Sequence, residues 1–246
     1  MKLNCDLGES YGAWQMGQDD KVMPLIDMAN IACGFHAGDV NVMQKTVALA
    51  ARHGVAIGAH PSYNDLPGFG RRSIAHSPNE IEALMLYQLG ALDGICRAEG
   101  VSLSYVKPHG ALNNDMMRDM STLEAVMNAV RKYDSTLPLM LPATVHHERH
   151  SKLANYVGIP VLLEAFADRA YDDEGQLVSR RLPGAVHQTV DKIVAQAVSL
   201  AQKGGVTSTS GQWLDLPADS LCVHGDTEGA LAAIRQIRDA LKTAQA

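Results

Sequence analysis

Short apolar runs alternate with longer segments of helical periodicity along most of the chain. The apolar runs predict seven strands, at residues 2–6, 31–33, 55–59, 103–106, 137–141, 161–165 and 220–223. A 3.6-residue hydrophobic period predicts helices between them, at residues 40–53, 78–99, 120–132, 146–156, 187–203 and 227–243. This alternation is typical of a parallel sheet whose strands are joined by right-handed helical crossovers.

Polar residues follow nearly every predicted strand. In a barrel all strand C-termini converge on one mouth, whereas an open doubly wound sheet places its site at one switch point. We therefore predict an α/β fold with a distorted (β/α) barrel of about seven parallel strands, forming a single domain over residues 1–246. An open doubly wound sheet is the alternative.

The segment 30–39 shows this arrangement most clearly. Its apolar run ends at Gly34, and His36 and Asp39 follow at once, directly before the helical pattern that begins at Val40. Asp39 is well placed to cap that helix, because its carboxylate would accept hydrogen bonds from free backbone N–H groups. The turn offers an imidazole and a carboxylate at a strand's C-terminal end.

The side chains expected at the mouth are acids, bases, cations and amides, which suit proton transfer around a small polar substrate. Those assigned to catalysis are Asp6, Glu9, His36, Asp39, His60, Lys107 and His109. Those assigned to substrate binding are Arg71, Asn114, Glu164, Asp168, Arg169, His224 and Asp226. Each residue taken alone also has a structural explanation, such as a helix cap or an ion pair. Four histidines just beyond four different strands, however, are expected to converge only in a site.

A divalent metal is left open by these residue types. The candidate ligands are four histidines with one of two carboxylates: His36, His60, His109 and His224, with Asp6 or Glu9. Zinc and similar ions prefer such ligands, but no H-E-x-x-H motif or cysteine-rich signature fixes a site here.

The loop 68–72 is a separate candidate for anion binding, because two glycines let its backbone approach a ligand and two arginines can bind carboxylate or phosphate.

Composition excludes several classes of function. The chain has 21 basic and 27 acidic residues and a net charge of −6, which argues against nucleic-acid and membrane-surface binding. No apolar run approaches a membrane span, and we expect a cytoplasmic protein with four buried, reduced cysteines. The sequence contains no Walker A loop, no G-x-G-x-x-G after a strand and no G-x-S-x-G elbow.

The residues at the strand ends resemble those of the LamB/YcsF family. The matching stretches are 4–9, 30–39, 60–61, 68–72, 107–112, 164–171 and 223–226, spread over nearly the whole chain. The chain departs from the family pattern at Asn113, where tyrosine is usual, and at Val40 and Glu228, where proline is frequent. The charged and imidazole positions are intact.

The resemblance implies a seven-stranded distorted barrel like that of the glycoside hydrolase/deacetylase superfamily. It also implies one subunit of an ATP-dependent 5-oxoprolinase, a hydrolase that acts on a cyclic amide C–N bond and opens 5-oxoproline (pyroglutamate) to L-glutamate together with B and C subunits. The missing nucleotide loop suggests that ATP is bound and phosphoryl transfer occurs wholly or partly on those partners.

Two other functions compete with this one. A metal-dependent amidohydrolase or deacetylase with the same barrel would act without ATP and lose activity with a chelator. A non-catalytic substrate-binding subunit would bind 5-oxoproline, but removing Asp6 or His109 would leave turnover by the complex intact.

Overall fold

The computed structural model describes residues 1–225 and 228–243. Its strands are β1 Lys2–Leu7, β2 Met28–Ala32, β3 Ala56–His60, β4 Leu103–Val106, β5 Leu139–Pro142, β6 Val161–Phe166, β7 Gly205–Thr207, β8 Trp213–Asp215 and β9 Ser220–Cys222. Its α-helices are α1 Asp19–Val22, α2 Val40–His53, α3 Pro78–Ala98, α4 Gly110–Arg118, α5 Met120–Asp134, α6 His147–Val157, α7 Val190–Lys203 and α8 Glu228–Thr243. A short 3₁₀ helix, Met23–Leu25, follows α1.

Seven of these strands close into a barrel in the order β1-β2-β3-β4-β5-β6-β9. Every pairing in the barrel is parallel, and β9 pairs with both β6 and β1. The predicted barrel is therefore confirmed, and the open doubly wound sheet is wrong. Because all the strands run the same way, their C-terminal ends form one mouth.

The helix boundaries follow local sequence signals. Asp39 caps α2 by accepting from the backbone N–H groups of Asn41 and Val42. Ser77 and Glu80 form a capping box at the start of α3. Gly54 ends α2 in the left-handed region, with φ of 64°, which glycine adopts without a Cβ clash.

The apolar residues form two separate cores. The larger core lies between the barrel and its helices and contains one face of every barrel strand, including Leu3, Ile31, Ile57, Leu139 and Leu221. The smaller core lies inside the barrel and contains Met28, Ala56, Tyr105, Met140 and Leu162. Side chains alternate between the two faces of each strand, so the same strands supply both cores.

The inside of the barrel changes from apolar to polar toward the mouth. The Tyr105 hydroxyl donates to Asn30 Oδ1 at 2.6 Å, and Asn30 Nδ2 donates to Asn4 Oδ1 at 2.8 Å. Asn4 Nδ2 in turn donates to Ser220 Oγ at 2.8 Å. These bonds join β4, β2, β1 and β9 across the interior and satisfy polar groups that would be costly to bury unpaired.

The structure adds elements that the hydrophobic pattern did not predict. Helix α4 was missed because Asn113, Asn114 and Asp115 are weak helix formers, although Leu112 and Met116 are buried against the core. The antiparallel pair β7–β8 was missed because three-residue strands are too short to show a period. Helix α7 begins at Val190, three residues after the predicted start at residue 187.

Packing inside the barrel predicts a specific sensitivity at Gly58. A Cβ at this position would clash with the buried Tyr105 ring, so Gly58→Ala should lower the free energy of unfolding by about 1–3 kcal/mol. Gly94→Ala is the matched control, because a Cβ at this exposed position of α3 meets nothing, and it should raise stability by about 0.5–1 kcal/mol. Urea unfolding measures both. Equal effects of the two variants would contradict the packing described for the interior.

Candidate active site

A buried ion-pair cluster lies at the mouth end of the barrel interior. Lys107 Nζ is 2.9 Å from Asp6 Oδ1 and 2.8 Å from Glu164 Oε1. Asn30 Nδ2 also donates to Asp6 Oδ1, at 2.8 Å. Lys107 and Glu164 are buried, and Asp6 is partly exposed toward the mouth. Two carboxylates thus share one ammonium group in a confined, largely water-excluded space.

The charges in this cluster hold one another in their ionised forms. Burial raises the pKa of Asp6, but the charges of His60 and Lys107 outweigh it and bring the pKa well below its usual value. Burial lowers the pKa of Lys107, but the charges of Asp6, Cys222 and Glu164 outweigh burial and bring the pKa well above its usual value. Lys107 is therefore a fixed cation, and Asp6 is a weak proton acceptor that can orient its neighbours.

Three of the four predicted histidines converge beside Asp6. His60 Nε2 lies 3.4 Å from Asp6 Oδ2 and 2.9 Å from His109 Nδ1. The rings of His36 and His109 stack with centroids 3.8 Å apart and planes 4° from parallel. His36 Nε2 lies 3.4 Å from Glu9 Oε1. Ligand atoms of Glu9, His36, His60 and His109 all lie within 4.8 Å of one another, which is consistent with a divalent metal.

Burial controls the protonation of two of these rings. Burial and the neighbouring His60 lower the pKa of His36 well below its usual value. Burial, His36 and His60 do the same to the pKa of His109. Both rings are therefore neutral at physiological pH and available as acceptors.

The loop 68–72, which carries Arg71 and Arg72, packs against His36 and His109. Gly70 packs so closely that a Cβ there would lie 2.8 Å from the Cβ of His36 and 2.9 Å from Cδ2 of His109. Phe69 has a positive φ of 55°, a strained conformation for a bulky residue, and its carbonyl oxygen lies 2.9 Å from His109 Nε2. This backbone conformation places the Phe69 carbonyl oxygen where it fixes the orientation of the His109 ring.

The two arginines of this loop have different surroundings. Arg72 is held by an ion pair with the buried carboxylate of Asp65 and so stabilises the loop. The exposed Arg71 has its guanidinium carbon 5.0 Å from the centre of the Phe69 ring. Arg71 also contributes a charge that lowers the pKa of His36, so it lies at the rim of the histidine cluster.

His224 lies with a second polar group at the mouth. Its Nδ1 is 2.8 Å from Asp168 Oδ2, and a guanidinium nitrogen of Arg180 is 3.4 Å from its Nε2. These side chains line a cavity of about 250 Å³ together with His187 and Gln188. Burial lowers the pKa of His224, but Asp168 outweighs burial and raises the pKa above its usual value. Protonation of the His224 ring favours its contact with Asp168 and disfavours its contact with Arg180.

Several predicted site residues lie in other surroundings. The Asp39 carboxylate accepts from the backbone N–H groups of α2 and of Gly12, which is the capping role rather than a free catalytic group. Arg169 is buried and donates to the carbonyl oxygens of Ala185 and Val178, so it braces the segment after β6. Asn114 is an exposed residue one turn into α4. Asp226 lies outside the described residues.

Sequence reasoning did not single out some residues that shape the site. Asn30 and Tyr105 form the polar layer below Asp6, and Ser62 Oγ lies 3.1 Å from His36 Nδ1. An amide inside the otherwise apolar strand β2 was a usable signal for Asn30. Arg180 lies in a segment with no distinctive sequence pattern, and only the fold brings it to His224.

Comparisons with known proteins give one consistent result. The sequence profile of the LamB/YcsF family matches residues 1–246. The 5-oxoprolinase A subunit of Chromohalobacter salexigens is 59% identical over 238 residues, covering 97% of this chain and 95% of the relative. The 5-oxoprolinase A subunit of Pseudomonas fluorescens is 56% identical over 239 residues, with 97% and 96% covered.

A solved structure agrees with these sequence matches. The lactam utilization protein from Thermus thermophilus superimposes with a TM-score of 0.92 at 42% identity, covering 100% of this chain and 97% of that protein. No helix among residues 1–225 and 228–243 is both long enough and apolar enough to cross a membrane.

The His224–Asp168 pair predicts a pH-dependent contribution to stability. The raised pKa of His224 stabilises the fold below its ordinary value of 6.5, and this contribution is lost as pH rises through the folded-state pKa. The pKa of Asp168 is lowered, so its contribution is lost only as pH falls below about 4. Asp168→Asn should therefore cost on the order of 1 kcal/mol near pH 5.5 and less at pH 8.5, measured by urea unfolding.

The exposed Asp20→Asn is the control for this measurement and should show a pH-independent difference near zero. A cost of Asp168→Asn that stays constant between these two pH values would show that the pair does not carry a proton-linked interaction.

Proposed function

Because the chain belongs to the LamB/YcsF family, we propose that it is the A subunit of an ATP-dependent 5-oxoprolinase. The enzyme would open the lactam ring of 5-oxoproline to give L-glutamate, with hydrolysis of ATP to ADP and phosphate. The observation that carries the proposal is the 59% identity, over 97% of this chain, to a relative named as the A subunit of 5-oxoprolinase.

The proposal assigns ATP consumption to partner subunits of the B and C type, wholly or in part. The sequence of this chain has neither a Walker A loop nor a G-x-G-x-x-G turn after a strand to cradle the phosphates. The barrel mouth, in contrast, concentrates cations, carboxylates and imidazoles suited to a small acid. This chain would therefore supply the ring-opening site.

Ring opening sets three chemical requirements. A water oxygen must add to the lactam carbonyl carbon, the negative charge that develops on the carbonyl oxygen must be stabilised, and the leaving nitrogen must receive a proton. The water oxygen then remains in the new carboxylate of glutamate. Each requirement calls for a group whose position and protonation state are fixed in advance.

The buried charges at the mouth match these requirements. Lys107 stays protonated between two carboxylates, so its ammonium group can stabilise developing negative charge without giving up its proton. Asp6 stays ionised and lies against His60, so it orients that ring rather than taking up the proton itself. His60 and His109, 2.9 Å apart, are the groups placed to accept and deliver protons.

The substrate's own carboxylate needs a cation outside this charge cluster. Arg71 is exposed at the rim, and the cation–π contact with Phe69 directs its guanidinium over the loop beside His109. A guanidinium can bind a carboxylate with two parallel hydrogen bonds. Lys107 and Arg169 are less suited to this role, because Lys107 is already paired with Asp6 and Glu164 and the guanidinium of Arg169 donates to backbone carbonyls.

A metal-dependent amidohydrolase is the second candidate, and the cluster of Glu9 with three histidines favours it. The two functions differ in their need for ATP and partners. The decisive assay compares glutamate release from 5-oxoproline by the chain alone and by the chain with B and C subunits, each with and without ATP. Release only with ATP and partners supports the proposal, and release by the chain alone would overturn it.

Asp6→Asn tests the assignment of the charge cluster. The substitution keeps the shape and one acceptor oxygen but removes the charge that orients His60, so turnover by the reconstituted complex should fall about 100-fold. Circular dichroism should show an intact fold, because Glu164 still pairs with Lys107. Asp20→Asn, on the exposed surface of α1, is the control. Turnover of a folded Asp6→Asn complex within a few-fold of wild type would restrict Asp6 to a structural role.

Arg71→Ala tests the anion-binding role of the loop. Removing this exposed guanidinium should raise the KM for 5-oxoproline about 10-fold and change kcat by no more than a few-fold, with an unchanged melting temperature. Arg71→Lys should recover part of the loss, and Arg118→Ala, at the exposed end of α4, is the control. An unchanged KM in Arg71→Ala would assign the carboxylate to another cation.

A further inference from the structure

We propose that Glu9, His36, His60 and His109 form a binding site for one divalent ion of the zinc class. The inference does not depend on the ring-opening function, because it follows from which atoms of these side chains donate hydrogen bonds and which accept them. With an ion bound, the inward nitrogens of His60 and His109 would hold the ion, and the proton transfers proposed for these two rings would fall to other groups. The four ligand atoms lie within 4.8 Å of one another.

His60 has its tautomer fixed by the backbone. Its Nδ1 lies 2.6 Å from the carbonyl oxygen of Lys107, which can only accept a hydrogen bond. The Nδ1 atom must therefore carry the proton, and Nε2 of the neutral ring presents a lone pair to the cluster. This is the nitrogen that faces both Asp6 and His109.

His109 is fixed in the same way but through its other nitrogen. Its Nε2 lies 2.9 Å from the carbonyl oxygen of Phe69, so Nε2 donates and Nδ1 of the neutral ring is an acceptor. The His109 Nδ1 and His60 Nε2 atoms are then two lone-pair nitrogens only 2.9 Å apart. Two acceptors at this distance repel each other unless a cation lies with them.

His36 supplies a third inward-facing lone pair. Ser62 Oγ donates its proton to the carbonyl oxygen of Tyr63 at 2.8 Å, so it accepts from His36 Nδ1 at 3.1 Å. The Nε2 atom of His36 is therefore the acceptor, and it is buried without a hydrogen-bond partner among the described residues. It lies 3.4 Å from the Glu9 carboxylate, another acceptor.

Three imidazole lone pairs and one carboxylate thus face a common point with no hydrogen-bond donor among them. Each imidazole also donates its outer N–H to a carbonyl or hydroxyl oxygen, which is the supporting arrangement found around metal-bound histidines. Nitrogen ligands with one carboxylate are preferred by zinc and neighbouring ions over magnesium or calcium. The remaining alternative is a proton on His60 Nε2, shared with His109 or with the Asp6 carboxylate.

Direct binding to the isolated chain separates the metal from the proton. The purified chain is stripped with a chelator, checked by circular dichroism and titrated with Zn²⁺ in a calorimeter and with Co²⁺ in an absorbance cell. We expect one ion per chain and visible Co²⁺ absorption bands of nitrogen-ligated cobalt. Failure of the wild-type chain to bind either ion below millimolar concentration overturns the proposal in favour of the shared proton.

Variants test the individual ligands. His36→Ala should weaken Zn²⁺ binding at least 100-fold, and Glu9→Gln, at the partly exposed edge of the cluster, at least 10-fold. Ser62→Ala, which removes only the group that fixes the His36 tautomer, should weaken binding about 10-fold. His53→Ala, on the exposed end of α2, is the control and should bind as wild type. If His36→Ala does not fold, Glu9→Gln and Ser62→Ala decide, and unchanged affinity in both overturns the site.

These measurements use neither ATP nor partner subunits, so they fail or succeed separately from the proposed activity. If the chain binds an ion but releases no glutamate with its partners, the proposed ion site is supported and the proposed function is refuted. If the complex turns over 5-oxoproline while this chain binds no ion, the proposed function is supported and the proposed ion site is refuted.

Discussion

The Lys107 ammonium group between Asp6 and Glu164 is the interaction on which the mouth of the barrel depends. Without it, two carboxylates would lie in a largely buried space with no counter-charge. Removing one member of a buried ion pair typically costs about 3–5 kcal/mol, because the remaining charge stays desolvated. Strands β1 and β6, which carry Asp6 and Glu164, are therefore linked through side chains to the residue directly after β4 as well as through the sheet.

The backbone of Lys107 extends the same constraint to the histidines. Its N–H donates to the carbonyl oxygen of Ala59, and its carbonyl oxygen accepts from His60. The His109 N–H donates to the carbonyl oxygen of Pro61, so the segments after β3 and β4 are tied together in register. One short stretch of chain thus positions the charge cluster with its side chain and the imidazole cluster with its peptide groups.

The sequence predicted the barrel because apolar runs and helical periods repeat in a regular order, and each polar strand end could be located without knowing the fold. It also placed Asp6, at the end of the first predicted strand, and Lys107, directly after the fourth, at one mouth, where the two form an ion pair. Other placements depended on information that spacing does not contain. His224 is not among the ligand atoms that lie within 4.8 Å of one another, and it contacts Asp168 and Arg180 from the segment after β6 instead.

Competing roles for polar side chains explain the remaining differences. An aspartate before a helix reads equally well as a cap or as a catalytic group, and Asp39 uses its oxygens on backbone N–H groups. An arginine after a strand reads equally well as an anion receptor or as a brace, and Arg169 binds carbonyl oxygens. Only the geometry of neighbouring peptide groups separates these choices, and that geometry is a property of the folded chain.

The apolar layer inside the barrel limits how small molecules can enter and leave it. Because Met28, Tyr105 and Met140 fill the end opposite the mouth, the barrel interior is closed at that end and opens only at the mouth. In the proposed function, substrate would enter and product would leave through the same opening. A partner protein that delivered an activated intermediate would have to do so across this rim, so delivery and product departure would alternate in time and could not proceed from opposite sides.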